Sequence, residues 1–299
     1  MKNSIIKRRY RMFTDFAPVL NFLTDTYNPA TLNSYLLPQY FEYAHHCSFF
    51  NHKLTHRFGI WEEDGDIVGI ACFEMNLGES HLHVKVGYEK LLPELLDWVE
   101  RELCKPRQDK LESGIWIIDK ELNKREMLKS RGYKPVRTDR VTIFDYKNPF
   151  PEAPLPKGFK LISGHDADFA KLRACYWKGF GQGDVLDDDV DGTIHACNSP
   201  NANLNLDTIV VAPNGNYACA LGMWYDKENE YAYLEPLATV PEYRRLGLAK
   251  AALVASMEIT KRLGAKYCFG GDGEFYTALG FEVICNRELW KKELENVSK

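Results

Sequence analysis

Hydrophobic spacing along this chain switches repeatedly between the two-residue period of strands and the 3.6-residue period of helices. In the second half, 159–163 predicts a short strand, and 166–178 a helix with Phe169, Leu172 and Tyr176 on one face. The β-branched run 207–212 predicts a strand, Asn214-Gly215 a hairpin turn, and 217–225 the returning strand. A charged turn at 226–230 leads into a strand at 231–240. A long helix follows over about 245–263, with Leu248, Ala252, Ala255, Ile259 and Leu263 at helical spacing and Gly264 as its stop. A strand at 266–269, a short helix at 274–279 and a last strand from Phe281 complete the order.

The first half repeats that order with little shared sequence. A strand at 5–10 precedes helices at 15–27 and 34–50, and Asp64-Gly65-Asp66 turns a hairpin between 58–62 and 67–75. A strand at 81–86 comes before a helix at 91–103, whose Leu92, Leu95, Leu96, Val99 and Leu103 face inward. Strand 114–118, helix 122–130 and strand 140–146 close the half. The shared order suggests an old internal duplication.

Between the halves, prolines at 149, 151, 154 and 156 remove backbone donors and fix φ, so this stretch fits neither a helix interior nor a central strand. The expected division is a domain at 1–148, an extended connector at 149–157 and a domain at 158–299. The 299 residues suit two domains of ordinary size. Hydrophobic residues at 45% and charged residues at 27% describe a globular protein with enough apolar surface for two cores.

A net charge of −4 argues against a general nucleic-acid surface, although Lys7, Arg8, Arg9 and Arg11 form a local basic patch. No apolar run follows that patch as in a secretory leader, and none of about 18 residues exists to cross a membrane. The eight cysteines are scattered without a Cys-x-x-Cys pair, as buried thiols of a reducing compartment are. The expectation is a cytoplasmic protein with no nucleic-acid or membrane partner; the sequence leaves a homodimer open.

The stretch 231–250 carries the most chemistry: a strand, a proline turn, and a helix opened by a glycine. The first turn of a helix leaves N–H groups unpaired and carries partial positive charge, which suits a phosphate. Gly247 and Ala249 let a bulky pyrophosphate approach the backbone, and Arg244, Arg245 and Lys250 add positive charge. Pro236 inside an apolar strand predicts a bulge.

Leu234-Glu-Pro-Leu-Ala-Thr-Val240, then Pro241-Glu-Tyr-Arg-Arg-Leu-Gly-Leu-Ala249, then Phe275-Tyr-Thr-Ala-Leu-Gly-Phe281 together resemble the GNAT acetyltransferase superfamily. The resemblance implies an α/β fold: two tandem GNAT-like domains, each a central twisted mixed sheet flanked by helices, the first copy degenerate. It implies that backbone groups of Leu237, Ala238, Thr239 and Val240 face the pantetheine arm of acetyl-CoA. The amides of Arg245, Leu246, Gly247, Leu248, Ala249 and Lys250, with Arg244 beside them, hold its pyrophosphate. Tyr276 matches the tyrosine that protonates the departing thiolate, and Glu235 stands where a carboxylate, directly or through a water, can take the proton of the attacking amine. One departure is Gly270-Gly271-Asp272-Gly273, where many members carry an asparagine that contacts the cofactor.

Other signals carry less. Asp187-Asp-Asp-Val-Asp-Gly192 mimics half a calcium loop, but position twelve is Asn198 where a bidentate Glu is required. The resemblance implies that 177–191 borders the acceptor site, where Asp184, Asp187, Asp188, Asp189 and Asp191 would attract a cationic amine. His45, His46, His52, His56, His81 and His83 lack zinc-site spacing, so no metal is expected. In the first half Gly87-Tyr-Glu-Lys-Leu-Leu-Pro-Glu94 stands where the phosphate turn should be, and Glu89 and Glu94 would repel a pyrophosphate. The expectation is an acetyl-CoA-dependent N-acetyltransferase acting by direct attack of a small-molecule or peptide amine, the alternative being an acyl-CoA-binding sensor without turnover.

Overall fold

The computed structural model describes residues 4–187 and 189–295. Asp188, in the aspartate run, lies outside the described residues. The chain forms two compact units, one of Met1–His45, Phe49–Arg140 and Cys285–Lys299, the other of His46–Ser48 and Val141–Ile284.

Unit 1 contains β1 (Ile6–Arg9), α1 (Met12–Asp25), α2 (Pro38–His46, up to His45), β2 (Gly59–Glu63), β3 (Asp66–Phe73), β4 (Ser80–Val84), α3 (Leu92–Glu102), β5 (Lys105–Arg107), β6 (Lys110–Ile118), α4 (Leu122–Ser130) and the start of β7 (Lys134–Asp145). Unit 2 holds the end of β7, then β8 (Lys160–Ser163), α5 (Phe169–Gly179), α6 (Val190–Cys197), β9 (Thr208–Val211), β10 (Tyr217–Asp226), β11 (Tyr231–Thr239), α7 (Leu248–Leu263), β12 (Tyr267–Gly270) and α8 (Glu274–Ala278). The final strand, β13 (Glu282–Glu295), joins unit 1 from Cys285 onward.

Within unit 1 the sheet order is β1-β2-β3-β4-β6-β13, and within unit 2 it is β8-β9-β10-β11-β12-β7. The directions also correspond: three antiparallel pairings, then a parallel one (β4 with β6, β11 with β12), then an antiparallel closing strand. These units do not follow a division at 149–157. Val141–Asp145 belongs with unit 2 through β12, and Cys285–Glu295 with unit 1 through β6. Within the proline-rich stretch, Phe150 and Leu155 pack on the core of unit 2.

In unit 2 the sheet is covered on both faces. Leu248, Ala252, Leu253 and Met257 of α7 pack with Val210, Leu221, Met223 and Ala232, and Leu172 and Cys175 of α5 with Ile209, Val211 and Ala220. Each buried Leu or Met contributes about 1.5–3 kcal/mol. The buried stripe of α7 is rotated from the predicted one: Leu263 is exposed, while Ser256 and Thr260 are buried. Their hydroxyls are matched by Thr208 (2.8 Å) and Tyr146 (2.7 Å), which lets polar residues occupy core positions. In α3 and at Leu103 just after it, all five residues expected inward are buried.

Two helix boundaries also differ. The helix expected over 34–50 is replaced by α2, because Leu32, Asn33, Ser34 and Tyr35 all take left-handed φ (48–63°) before Pro38 starts the helix. Asn33 holds that turn by donating to Leu23 O at 3.0 Å. The long second-half helix begins at Leu248 rather than Arg245, because Arg245 and Gly247 are left-handed.

The bulge predicted at Pro236 is present. β10 and β11 pair at Leu221↔Leu237 and next at Met223↔Leu234, so Glu235 and Pro236, joined by a cis peptide, oppose Gly222 alone. Trp224 donates Nε1–H to Glu235 O at 2.9 Å and holds the bulge in place. On its other edge β11 pairs with β12 only over Tyr231–Tyr233, so the strands part at Leu234. A Cβ at Gly222 would lie 2.6 Å from Glu235 O and 2.8 Å from Pro236 Cδ. Gly222→Ala is therefore expected to cost about 1–3 kcal/mol in chemical denaturation; unchanged stability would show that the bulge yields freely.

Candidate functional site

From the end of β11 the chain makes a short turn at Pro241–Tyr243 and reaches Arg244. The Arg244 guanidinium donates Nε–H to Thr239 O (3.1 Å) and Nη2–H to Gly179 O (2.9 Å), stapling the turn to the ends of β11 and α5. Part of the donor capacity expected to face a phosphate is thus used in holding the turn. Arg245 (φ 65°) and Gly247 (φ 78°) then reverse the backbone locally. A Cβ at Gly247 would meet nothing within 4 Å, so glycine is there for its backbone conformation and leaves open space beside it.

α7 has no side-chain cap. Its first internal bond is Ala251 N–H to Gly247 O at 3.0 Å, so the amides of Leu248, Ala249 and Lys250 precede the hydrogen-bond ladder. They sit at the positive end of a sixteen-residue helix. The helix start opens onto a cleft of about 810 Å³.

Of the residues singled out from sequence, Leu237, Ala238, Thr239, Arg244, Arg245, Gly247, Leu248, Ala249 and Lys250 line this cleft. Val240 does not; it is buried in the core under α5. Leu246 is 44% exposed and is not in the lining. The sequence reading missed Gly179, Tyr243 and the α8 face of Glu274, Phe275, Ala278 and Leu279. Gly179 has a physical reason: a Cβ there would lie 2.7 Å from Ala238 Cβ, so only glycine lets α5 end against the strand.

Tyr276 and Glu235 are half-buried and flank the cleft rather than line it. Glu235 sits in the bulge two residues before Leu237. The Tyr276 ring packs edge-on with Phe275 (5.1 Å) and Phe281 (5.4 Å). It lies over Gly270 and Gly271, where added Cβ atoms would meet the ring at 2.7 and 2.6 Å. The departure noted at 270–273 is therefore the seat of this tyrosine, and Thr142 Oγ1 donates to Gly271 O at 2.9 Å to fix it.

The acidic run is only partly available for attraction. Asp187 pairs with Arg173 (3.0 Å) and accepts from Asp189 N–H (2.6 Å), while Asp189 caps α6 by accepting from Gly192 N–H (2.8 Å). That cap, rather than a calcium loop, explains the motif. Asp207, just before β9 and without any signal in the residue spacing, accepts from Met223 N–H at 2.9 Å, and burial pushes its carboxyl up to about 7. Burial also pushes the Cys219 thiol up to about 11 and that of Cys197 to about 12, so neither is held as a thiolate at neutral pH. The β4 histidines His81 and His83 are buried in unit 1 and pushed down to about 3, as neutral core residues.

Residues 172–281 match the family model described as the acetyltransferase (GNAT) family, so unit 2 carries a GNAT domain. No curated protein sequence matches the chain. Among solved structures, it is similar to a GCN5-related N-acetyltransferase from Sphaerobacter thermophilus (TM-score 0.61, 15% identity), covering 97% of this chain and 96% of that one. It is similar also to a tandem GNAT protein from the clavulanic acid biosynthesis pathway (TM-score 0.62, 11% identity), covering 97% and 98%. A third is Saccharomyces cerevisiae N-myristoyltransferase solved with myristoyl-CoA (TM-score 0.55, 11% identity, covering 97% and 79%). At such identities the likeness is one of fold.

Gly247→Glu would place a carboxylate at the open amides and is expected to weaken coenzyme A binding about 10- to 100-fold by calorimetry. Unaltered affinity would remove this turn from the binding site. Asp207 gives a second expectation. Its folded pKa lies above the ordinary 3.8, so between about 4 and 7 the folded state binds the proton more tightly. That contribution to stability is present in acid and lost as pH rises to about 7. Asp207→Asn should therefore be more favourable to stability at pH 8 than at pH 5, read from denaturant midpoints; an equal effect at both would contradict the raised pKa.

Proposed function

We propose that the protein transfers an acetyl group from acetyl-CoA to a primary amine of a small molecule or peptide by direct attack. The observation that carries this reading is the uncapped start of α7, with left-handed Arg245 and Gly247, opening onto a cleft at the end of a strand that has parted from β12. Peptide N–H groups without an internal acceptor there suit a pyrophosphate. The free edge of Leu237, Ala238 and Thr239 suits the amide groups of a pantetheine arm, as an added strand would.

The amine must be neutral to attack. In this reading Glu235, directly or through a water, takes the proton from the nitrogen. The nitrogen adds to the thioester carbonyl, the carbon–sulfur bond breaks, and Tyr276 gives its phenolic proton to the departing thiolate. Acetyl rather than a longer chain follows the description of the matching family, and acceptance of myristoyl-CoA in place of acetyl-CoA would overturn that choice.

Unit 1 lacks the same cradle in this reading. There the Gly87 N–H donates to Glu89 Oε1 at 2.9 Å, and that bond holds the Glu89 carboxyl below its usual range. That carboxylate and Glu94 in the first turn of α3 put negative charge where a pyrophosphate would have to lie, so in this reading coenzyme A binding is assigned to unit 2.

Thiol release with a panel of polyamines, aminoglycosides and amino acids tests the proposal. Tyr276→Phe and Glu235→Gln should each lower kcat by about 10²–10⁴ with coenzyme A affinity retained. Binding of coenzyme A without release for any acceptor would instead make the protein an acyl-CoA-binding module.

A further inference from the structure

We propose that Thr142 is a positioning residue for the reaction: its hydroxyl holds the glycine platform on which the Tyr276 ring lies, and so keeps the phenol aimed at the departing sulfur. This rests on the acyl-transfer reading above and adds to it a residue outside the cleft lining.

The platform has little of its own to keep it in place. Three of the four residues Gly270-Gly271-Asp272-Gly273 are glycine, which leaves the backbone there more conformational freedom than other residues would. β12 ends at Gly270, whose ladder partner on β7 is Thr142. One residue further the backbone ladder has stopped and the Thr142 side chain takes over, donating Oγ1–H to Gly271 O at 2.9 Å. α8, which follows, is five residues long and has no side-chain cap, too short to hold its place by internal bonds alone. Thr142 itself is fully buried in the closing strand of the unit 2 sheet. A valine would fill that position as well and spare the cost of burying a hydroxyl, so the hydroxyl is explained by the carbonyl it holds.

The tyrosine follows the platform closely. A Cβ added at Gly270 would meet the ring at 2.7 Å. One added at Gly271 would meet the ring at 2.6 Å and the phenol oxygen at 3.2 Å, so the reacting end of the side chain also rests on Gly271. Phe275 and Phe281 confine the ring on other sides. Any shift of Gly271 is therefore passed on to the phenol. A general acid works only within hydrogen-bond reach of the atom it protonates, and a misplacement of about 1 Å costs roughly 10²-fold.

The test uses the full chain. Thr142→Val keeps the shape and removes the donor, whereas Thr142→Ser keeps the donor. Thr142→Val is expected to lower kcat for thiol release about 10- to 100-fold while coenzyme A affinity, by calorimetry, is retained. Thr142→Ser should restore most of that loss. In a Tyr276→Phe background Thr142→Val should add less than about twofold, because the two residues act as one. Losses that multiply in the double variant, or a matching loss of coenzyme A affinity, mark a merely structural contact and overturn the proposal. Gly271→Ala pushes the ring directly with the Thr142 hydroxyl in place, and it should lower kcat likewise; an unaltered kcat there counts against the proposal as heavily. The fluorine resonance of 3-fluorotyrosine at position 276, assigned by its loss in Tyr276→Phe, separates this proposal from the reading beneath it. A line that Thr142→Val leaves unmoved sinks the proposal alone. A protein that releases no thiol with any acceptor sinks the transfer reading, and the catalytic role of Thr142 with it, wherever that line falls.

Discussion

A backbone N–H or C=O removed from water must find a partner, and unit 2 is arranged around two places where the regular ladder of such bonds is interrupted. At the bulge, Glu235 and Pro236 face a single glycine, and beyond it one edge of β11 is left without β12. At the start of α7, no side chain caps the helix. Leu237, Ala238 and Thr239 beyond the bulge and the start of α7 open on the same cleft. Groups that open on a cleft are met by water and, in the proposed reading, by an extended, polar, anionic molecule lying along them. The remaining features serve to keep the gap from closing. Trp224 ties off the bulge, Arg244 pins the turn to two neighbouring elements, and glycines at 222 and 179 permit backbone contacts that any side chain would push apart.

What could be read in the sequence was local. Pro236 in an apolar strand announces a bulge, and Gly247 before a helical pattern announces a turn, because each acts through its own φ or missing donor. The inward face of α3 was equally plain, since five leucine and valine positions repeat at helical spacing. The start of α7 was not, because Arg245 gives no local sign that it adopts a left-handed φ. Nor was the buried stripe of α7, where Ser256 and Thr260 are matched by hydroxyls 48 and 114 residues away. Asp207 looked like the polar edge of a strand, and its character depends on helices packing over it. Long-range pairing decides such residues, and spacing along the chain does not report it.

The two units show how far one strand order can be kept while a site changes. Both carry three antiparallel pairings, a parallel step and an antiparallel closing strand. They differ at the segment after the fourth strand of each sheet. In unit 2 that segment bears Gly247 and free amides; in unit 1 the Glu89 carboxylate turns back onto the Gly87 amide. The strand order beneath is the same in both.

The closing strands have a consequence for how the protein is made. Unit 1 is completed by Cys285–Glu295, and unit 2 includes Val141–Asp145, which is synthesised before the rest of its sheet. On the ribosome, the earlier unit must wait with the exposed edge of β6 until translation has passed the whole of the later one. That interval leaves an open strand edge available for pairing with other chains.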